Sequence, residues 1–553
     1  MKKAMALASV VCVVVLSAVT AAWGQAAASS MPQIVEKDGR HALLVDGKPF
    51  FMLGGQIHNS SSWPGMLPAV WSAVGAMHAN TVEMPIYWEQ IEPRQGQFDF
   101  TLVDTLLQQA RDHHVHVVFL WFATWKNGSD HYLPQWVKLD PTKHPNIVGR
   151  NGQPVDSPSP INPAGMELDS KAFAAVMAHL KDADPQHTLL MVQVENETGA
   201  WGSVRDYSPA AQKVFEGQVP AELLTPTVLK QLNRPVDAKG TWTEVFGADA
   251  DEYFQAYSVA HYVGQVAAAG KAVNPLPMYV NAALRDPITN PKASTYESGG
   301  PTDNVIPIWK AAAPALDLVA PDIYIPDSTK ALKVMDLYTR PDNALMIPEI
   351  GSSAEYTRYI YADLAHGGIG FSPFGIDDNG RAAGAEADAA RLAPLAQEYA
   401  VLGPMDRELA QWAFDGKIKA IVEKEDHANQ TLDLGSWQMT ASFGGAGAGG
   451  RGARAGATAN PAGAAATPAT GRLLVATLGE NEFVLLGTNC RITVAPAGAN
   501  KGKAWHFLKV EEGHYDNGTF NLLRIRNGDE TDGQGVRFDA GMTAVLHMTL
   551  YTR

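Results

Sequence analysis

The sequence predicts an α/β chain: a (β/α)8 TIM barrel followed by an antiparallel, β-sandwich-like domain. Eight short apolar runs, each closing on polar or aromatic residues, alternate with segments whose apolar residues recur every three or four positions. The alternation is sustained over roughly 350 residues, enough for eight strand-helix units. Near Gly403 the texture changes to short alternating runs split by Asp516-Asn517-Gly518, Arg526-Asn527-Gly528-Asp529 and Asp532-Gly533, which are turn signals between antiparallel strands.

The elements follow in chain order. Lys2 and Lys3 precede an uncharged apolar stretch that gives way to small residues at Ala22, Gly24 and Ala26, the pattern of a secretory signal peptide, here over 1–24. Export to the periplasm or the medium is expected, with no membrane association once the leader is cleaved. Cys12 leaves with the leader, so Cys490 can form no internal disulfide; it sits in an apolar run and is expected to be a buried small hydrophobe. Lys37-Asp38-Gly39 and Val45-Asp46-Gly47 punctuate a hairpin. Strands are predicted at 51–56, 81–87, 115–122, 189–194, 278–281, 316–320, 344–347 and 368–371, and helices at 66–77, 102–112, 171–180, 251–269 and 354–366. An open doubly wound sheet is the rival arrangement, but Gly54-Gly55-Gln56 runs straight into His58-Asn59 and offers no phosphate-binding turn. The barrel is expected over 33–402 and the β domain over 403–553. Within the latter, 444–471 is almost entirely Gly and Ala, a composition that cannot bury a core and reads as a disordered insertion.

Composition narrows function. The chain has 553 residues, 46% hydrophobic and only 18% charged, which is globular. Forty-three Lys and Arg against 58 Asp and Glu give a net charge of -15, which argues against nucleic acid and anionic membranes as partners. His113, His114 and His116 straddle a helix end and a strand, no His-Glu-x-x-His spacing exists, and no Gly-x-Ser-x-Gly elbow occurs. No metal or cofactor is therefore expected.

Barrel chemistry sits at the C-terminal ends of strands. The fourth run ends in Gln193-Val194-Glu195-Asn196-Glu197-Thr198 and the seventh in Ile347-Pro348-Glu349-Ile350. Two glutamates facing one cleft are what acetal hydrolysis needs: one protonates the leaving oxygen, and the other attacks the anomeric carbon at a carboxyl separation of about 5–5.5 Å. Glu195 has the strand parity of Glu197, so spacing leaves both as candidates to face the cleft. Trp121 and Trp125 in Trp121-Phe122-Ala123-Thr124-Trp125-Lys126-Asn127, together with Trp88, are candidates for a sugar-stacking platform. Asn281 closes the fifth strand. Tyr324 follows the sixth and is a candidate to hold the Glu349 carboxylate by hydrogen bonding. Glu92 is expected to fix a loop, and Glu297-Ser298-Gly299-Gly300-Pro301 reads as a cleft loop.

The string Gln193-Val194-Glu195-Asn196-Glu197, with Pro348-Glu349 about 150 residues later, resembles the β-galactosidases of glycoside hydrolase family 35, in the clan of retaining (β/α)8 glycosidases that includes family 42. Asn80-Thr81-Val82 leading to Trp88, Ile91-Glu92-Pro93 and Gly96-Gln97-Phe98-Asp99-Phe100 resemble the second-strand signature of both families. The resemblance implies that Glu197 is the acid/base, that Glu349 is the nucleophile, that Asn196 bonds the substrate 2-hydroxyl, and that the substrate is a carbohydrate ending in a β-galactoside, cleaved from its end with retention. It also implies the bacterial subgroup with an appended β domain. Thr198 replaces the Tyr that family members often carry, and Glu83-Met84-Pro85-Ile86-Tyr87-Trp88 lacks a customary sugar-contacting Tyr. A neighbouring activity on the same barrel (β-glucosidase, arabinopyranosidase or endo-glycanase) and a glycan-binding protein without catalysis remain the alternatives.

Overall fold

The computed structural model describes residues 30–377, 385–443 and 468–553 except 532 and 534, with backbone alone for 385–388. The predicted leader at 1–24 and nearly all of the Gly/Ala segment 444–471 lie outside the described residues.

Eight parallel strands form the barrel: β1 Met52–Leu53, β2 Thr81–Tyr87, β3 His116–Lys126, β4 Leu189–Asn196, β5 Met278–Ala282, β6 Leu318–Ile323, β7 Ile347–Ile350 and β8 Gly370–Pro373. Their order is β1-β8-β7-β6-β5-β4-β3-β2. The two ends of this row meet at Gln56, just beyond β1, which bridges Glu83 of β2 on one side and Phe374 on the other. The sheet is thereby closed and has no free edge.

A helix follows each strand: α1 Leu67–Met77, α2 Thr101–Asp112, α3 Pro163–Ala183, α4 Ala250–Lys271, α5 Ile306–Ala312, α6 Ser328–Tyr338, α7 Tyr359–Ala365 and α8 Ala385–Leu402. The sequence period explains them. In α2, Val103, Leu106, Leu107 and Ala110 fall on one face and are the buried residues. α1 stops where His78 turns left-handed at φ 58°.

Strand existence matches expectation; β1 is shorter than the predicted 51–56, whereas several later strands end further along than predicted. β3 runs on to Lys126, β6 covers Leu318–Ile323 rather than 316–320, and β7 covers Ile347–Ile350 rather than 344–347. An apolar run stops at the first polar residue, but hydrogen bonding continues through Asp322 and Glu349, which pair in register across β6 and β7. The polar strand ends lie inside the mouth of the barrel, where a site needs them.

Strands Gln33–Lys37, Arg40–Val45 and Lys48–Phe50 form the expected N-terminal hairpin sheet. Leu43, Val45 and Phe50 from it join Val118, Leu120, Leu190, Tyr279, Leu318 and Met346 in one buried cluster, so this sheet plugs the bottom of the barrel and leaves the strand C-termini as the open face.

The C-terminal module has two antiparallel sheets. Its strands are β9 Ile418–Val422, β10 Gln430–Asp433, β11 Trp437–Ser442, β12 Arg472–Gly479, β13 Glu482–Thr488, β14 Cys490–Pro496, β15 Trp505–Asp516, β16 Thr519–Ile525, β17 Gly535–Phe538 and β18 Ala544–Thr552. One sheet is ordered β9-β12-β13-β18-β15-β16 and the other β10-β11-β14-β17. Along β12, Leu474 and Ala476 join the barrel's outer core, whereas Leu473 and Val475 face the second sheet. β12 and β13 are covered on both sides, which accounts for their nearly unbroken apolar runs, whereas β16 at the far edge of the sheet is exposed. Cys490 is buried, and burial raises its thiol to about 12. No described helix is long and apolar enough to cross a membrane.

Candidate active site

Glu349, on β7, is the focus of the open face. Its Oε1 accepts from Gln56 Nε2 at 3.0 Å, Asn196 Nδ2 at 3.1 Å and Asn281 Nδ2 at 3.4 Å, and its Oε2 accepts from the Tyr324 hydroxyl at 2.8 Å. These donors come from the ends of β1, β4, β5 and β6, so the closure of the barrel itself assembles them. In all four contacts the Glu349 carboxyl oxygens are the acceptors. Burial and the Glu349 charge push the Tyr324 hydroxyl far above its ordinary range, which keeps it a donor.

Glu197 stands across from it. The β4 backbone turns out of regular extension here, with φ 65° at Glu195 and 40° at Glu197. Glu197 N–H donates to Asn281 Oδ1 at 2.9 Å, and Gly128 N–H donates to the Glu197 carbonyl at 2.9 Å. Burial first, and the charge of Glu349 second, raise the Glu197 carboxyl to about 7; Lys126 opposes the shift. Lys126 Nζ donates to Asn196 Oδ1 at 2.7 Å, so Asn196 bridges Lys126 and Glu349.

Asp322 completes the cluster. Oxygens of Glu197, Asp322 and Glu349 lie within 4.8 Å of one another, and Asn281 Nδ2 donates to Asp322 Oδ2 at 2.7 Å. Burial, then the charges of Glu349 and Glu197, hold the Asp322 carboxyl well above its ordinary range. Two more buried acids border the group. Glu83, raised by burial to about 8, accepts from the Tyr279 hydroxyl at 3.0 Å. Glu297 is raised by burial and by Glu197. A side chain on Gly128, whose φ is 71°, would collide with the Glu297 carboxylate and press on the Trp201 ring, so only glycine lets these loops meet.

Asn196, Glu197, Asn281, Tyr324 and Glu349 therefore converge as expected. Four expected contributors do not join them. Glu195 is wholly buried and accepts from Trp125 N–H at 2.7 Å, with Asp169 of α3 as its carboxyl neighbour. The positive φ at Glu195 and a register shift opposite β3 between Trp121 and Lys126 break the alternation on which parity relied. Trp121 donates to Asp169 at 2.9 Å, Trp88 donates to Glu92 at 2.8 Å, and Trp125 packs edge-on against Tyr262 of α4 at 4.9 Å. All three tryptophans are fully buried: they face outward beneath the helices, so they serve as core rather than as a sugar platform.

The flat exposed rings at the mouth are instead Trp63, 49% exposed and stacked on Tyr87, and Trp201, 53% exposed. Gln56, Lys126 and Asp322 also escaped the sequence reading. Each lies near the C-terminal end of a strand, but that position does not show which side chains turn toward Glu349. Glu92 does fix its loop, accepting from Gly96 N–H at 2.7 Å.

Comparison with known proteins adds three findings. Residues 70–246, about a third of the chain, match the family model of glycoside hydrolase family 42, described as Beta-galactosidase, and 395–538 match a domain of unknown function. Among curated proteins, a Beta-galactosidase of Xanthomonas manihotis is 28% identical over 173 residues, 29% of this chain and 26% of that one; Beta-galactosidase 11 of Arabidopsis thaliana is 31% identical over 107 residues, 18% of this chain and 12% of that one. The chain thus aligns with about a quarter or less of each relative's length. Among solved structures, a β-galactosidase from Bacillus circulans sp. alkalophilus superposes with a TM-score of 0.48 at 14% identity, covering 65% of this chain and 57% of that one. Residues 70–246 are similar to a family 42 glycoside hydrolase domain, and this stretch contains Asn196 and Glu197 but not Glu349.

Proposed function

We propose that the chain is a glycoside hydrolase, a retaining exo-β-galactosidase that removes terminal galactose from oligo- or polysaccharides by double displacement. The observation that carries this reading is the pairing of Glu197 with Glu349. One oxygen of each lies within 4.8 Å of the other, nearer the about 5–5.5 Å carboxyl spacing of a nucleophile pair than the about 6.5–9.5 Å that leaves room for an intervening water. Their surroundings also separate their roles. Glu197, raised to about 7, holds a proton near neutral pH, while Glu349 is ringed by donors.

In the first step Glu349 Oε attacks the anomeric carbon as the bond to the leaving oxygen breaks, and Glu197 passes its proton to that oxygen. In the second, Glu197 takes a proton from water, the water oxygen attacks the anomeric carbon, and Glu349 departs as carboxylate. Two inversions give net retention. Galactose as the sugar is supported by the family 42 likeness and by the names of the relatives. The finer placement in family 35 rests on Gln193-Val194-Glu195-Asn196-Glu197 with Pro348-Glu349, and export rests on the leader pattern.

Glu349→Ala is expected to abolish release of a chromophore from an aryl β-galactoside, with azide restoring turnover to give the α-galactosyl azide. Undiminished turnover in that variant removes the assignment. A panel of aryl glycosides on the wild type decides the sugar.

A further inference from the structure

The strand that carries Glu349 does not end freely. Two residues on, Gly351 lies under the ring of Tyr356, where any side chain would collide, and the chain then passes through the short helix Ala354–Thr357 to Arg358 and α7. Arg358 is 1% exposed, and a buried guanidinium needs acceptors for its fork of donors.

Those acceptors come from two directions. Nη2 donates to Pro326 O at 2.9 Å and to Glu425 Oε1 at 2.6 Å, and Nη1 donates to Glu423 O at 2.7 Å and Ala469 O at 2.9 Å. Pro326 lies two residues beyond Tyr324, and its carbonyl also accepts from the Tyr359 hydroxyl at 2.7 Å. Glu425 reaches on to Ser328, the first residue of α6, accepting from its N–H at 3.1 Å and from its hydroxyl at 2.6 Å. Glu423, Glu425 and Ala469 belong to the C-terminal module, at the end of β9 and the approach to β12. One point of the module therefore grips the loops after β6 and β7 together. α7 is tied to it again by Tyr361, which donates to Glu398 at 2.6 Å, while Glu398 accepts from Arg472 and from Thr543 at 2.8 Å.

Tyr324 is 45% exposed and its ring meets Phe374 edge-on at 6.4 Å, so its place on Glu349 depends on how the loop that carries it is held. We propose that the C-terminal module is a positioning device for the active site: Glu425 and Arg358 lock loop 324–328 so that Tyr324 stays on Glu349. This assigns a role to the stretch that matches a domain of unknown function. It rests on the reading of Glu349 as nucleophile.

The test uses the full chain with Glu425→Ala, Glu425→Gln, Arg358→Lys and Tyr324→Phe, singly and with each clamp variant combined with Tyr324→Phe. kcat and KM on an aryl β-galactoside are measured beside the unfolding midpoint. The Glu425 side chain is 49% exposed and Glu425→Gln keeps its shape, so that variant keeps a near wild-type midpoint and a fall in its kcat reports positioning, not unfolding. Glu425→Ala is expected to lower kcat about tenfold at unchanged KM, within the loss that a misplacement of ~1 Å brings, and to add nothing in the Tyr324→Phe background, because the two act on one contact. Glu425→Gln and Arg358→Lys fall between wild type and Glu425→Ala. Clamp variants that leave kcat unchanged, or losses that multiply with Tyr324→Phe, overturn the proposal. A wild type that hydrolyses no aryl glycoside overturns the reading of Glu349 itself, and the clamp with it, an outcome distinct from an active enzyme indifferent to Glu425.

Discussion

Replacing Glu197 by Gln should make the protein more stable at alkaline pH while disabling it. The Glu197 carboxyl is raised from 4.5 to about 7 by burial and by the charge of Glu349. An acid with a raised pKa in the folded state stays protonated there after the unfolded chain has lost its proton, so stability falls as pH rises through that interval. Below 4.5 both states carry the proton and nothing is lost; above about 7 both are ionised and the whole cost is present. At ~1.4 kcal/mol per pH unit, the interval from 4.5 to about 7 makes ionised Glu197 a burden of about 3 kcal/mol. Glu197→Gln keeps the shape and removes the charge. Its unfolding free energy by urea titration should match wild type near pH 4 and exceed it by up to about 3 kcal/mol at pH 8, with hydrolysis of poor leaving groups lost and that of activated aryl leaving groups partly retained. A stability difference that does not change with pH, or one that favours wild type at pH 8, would refute the reasoning.

Three further outcomes follow. Lys126→Met removes the cation that opposes the rise of Glu197 and the donor to Asn196, so the basic limb of kcat/KM should move to higher pH and kcat should fall about tenfold; an unmoved limb in the pH-rate profile counts against the acid assignment. Arg472→Met strands Glu398, which is buried beside Tyr361, and should cost about 3–5 kcal/mol in the unfolding free energy from denaturant titration. Trp201→Ala should raise KM for an oligosaccharide about 2- to 13-fold, the equivalent of ~0.5–1.5 kcal/mol for a lost ring contact, and leave kcat in place; an unchanged KM shows that the ring is not a sugar platform.

How much of this was legible in the sequence depends on the kind of signal. Burial writes itself into apolar runs, so all eight barrel strands and the change of texture near Gly403 could be read directly. The pairing of Glu197 with Glu349 was legible because a carboxylate at the end of a buried strand has few structural reasons to be there. Side-chain direction was not. Trp121 and Trp125 sit at the right strand end yet face α3 and α4, and Glu195 is turned away by a positive φ that no periodicity encodes. Gln56 and Lys126 were hidden for a different reason. Their roles exist only once the barrel has closed, when Gln56 beyond β1 reaches Glu349 on β7 and β3 lies beside β4, a relation between distant parts of the chain.

The site also explains why the barrel needs outside support. Glu83, Glu197, Glu297, Asp322 and Glu349 crowd one end of it, with Lys126 as a nearby cation, and burial raises Glu83, Glu297 and Asp322 as it raises Glu197. Protonation relieves the mutual repulsion and leaves a proton where the leaving oxygen needs one, but every neutralised acid is a buried polar group whose bonds must be kept in place. The loops after β6 and β7 carry Tyr324 and lead away from Glu349, and they are short of packing on the open side. Their restraint comes from Arg358 and Glu425 at the edge of the C-terminal module, whose first sheet is continuous with the barrel's outer core through Leu474 and Ala476. An appendage that served only to hold glycans would have no need of such a buried junction. A domain that sustains an electrostatically strained site would.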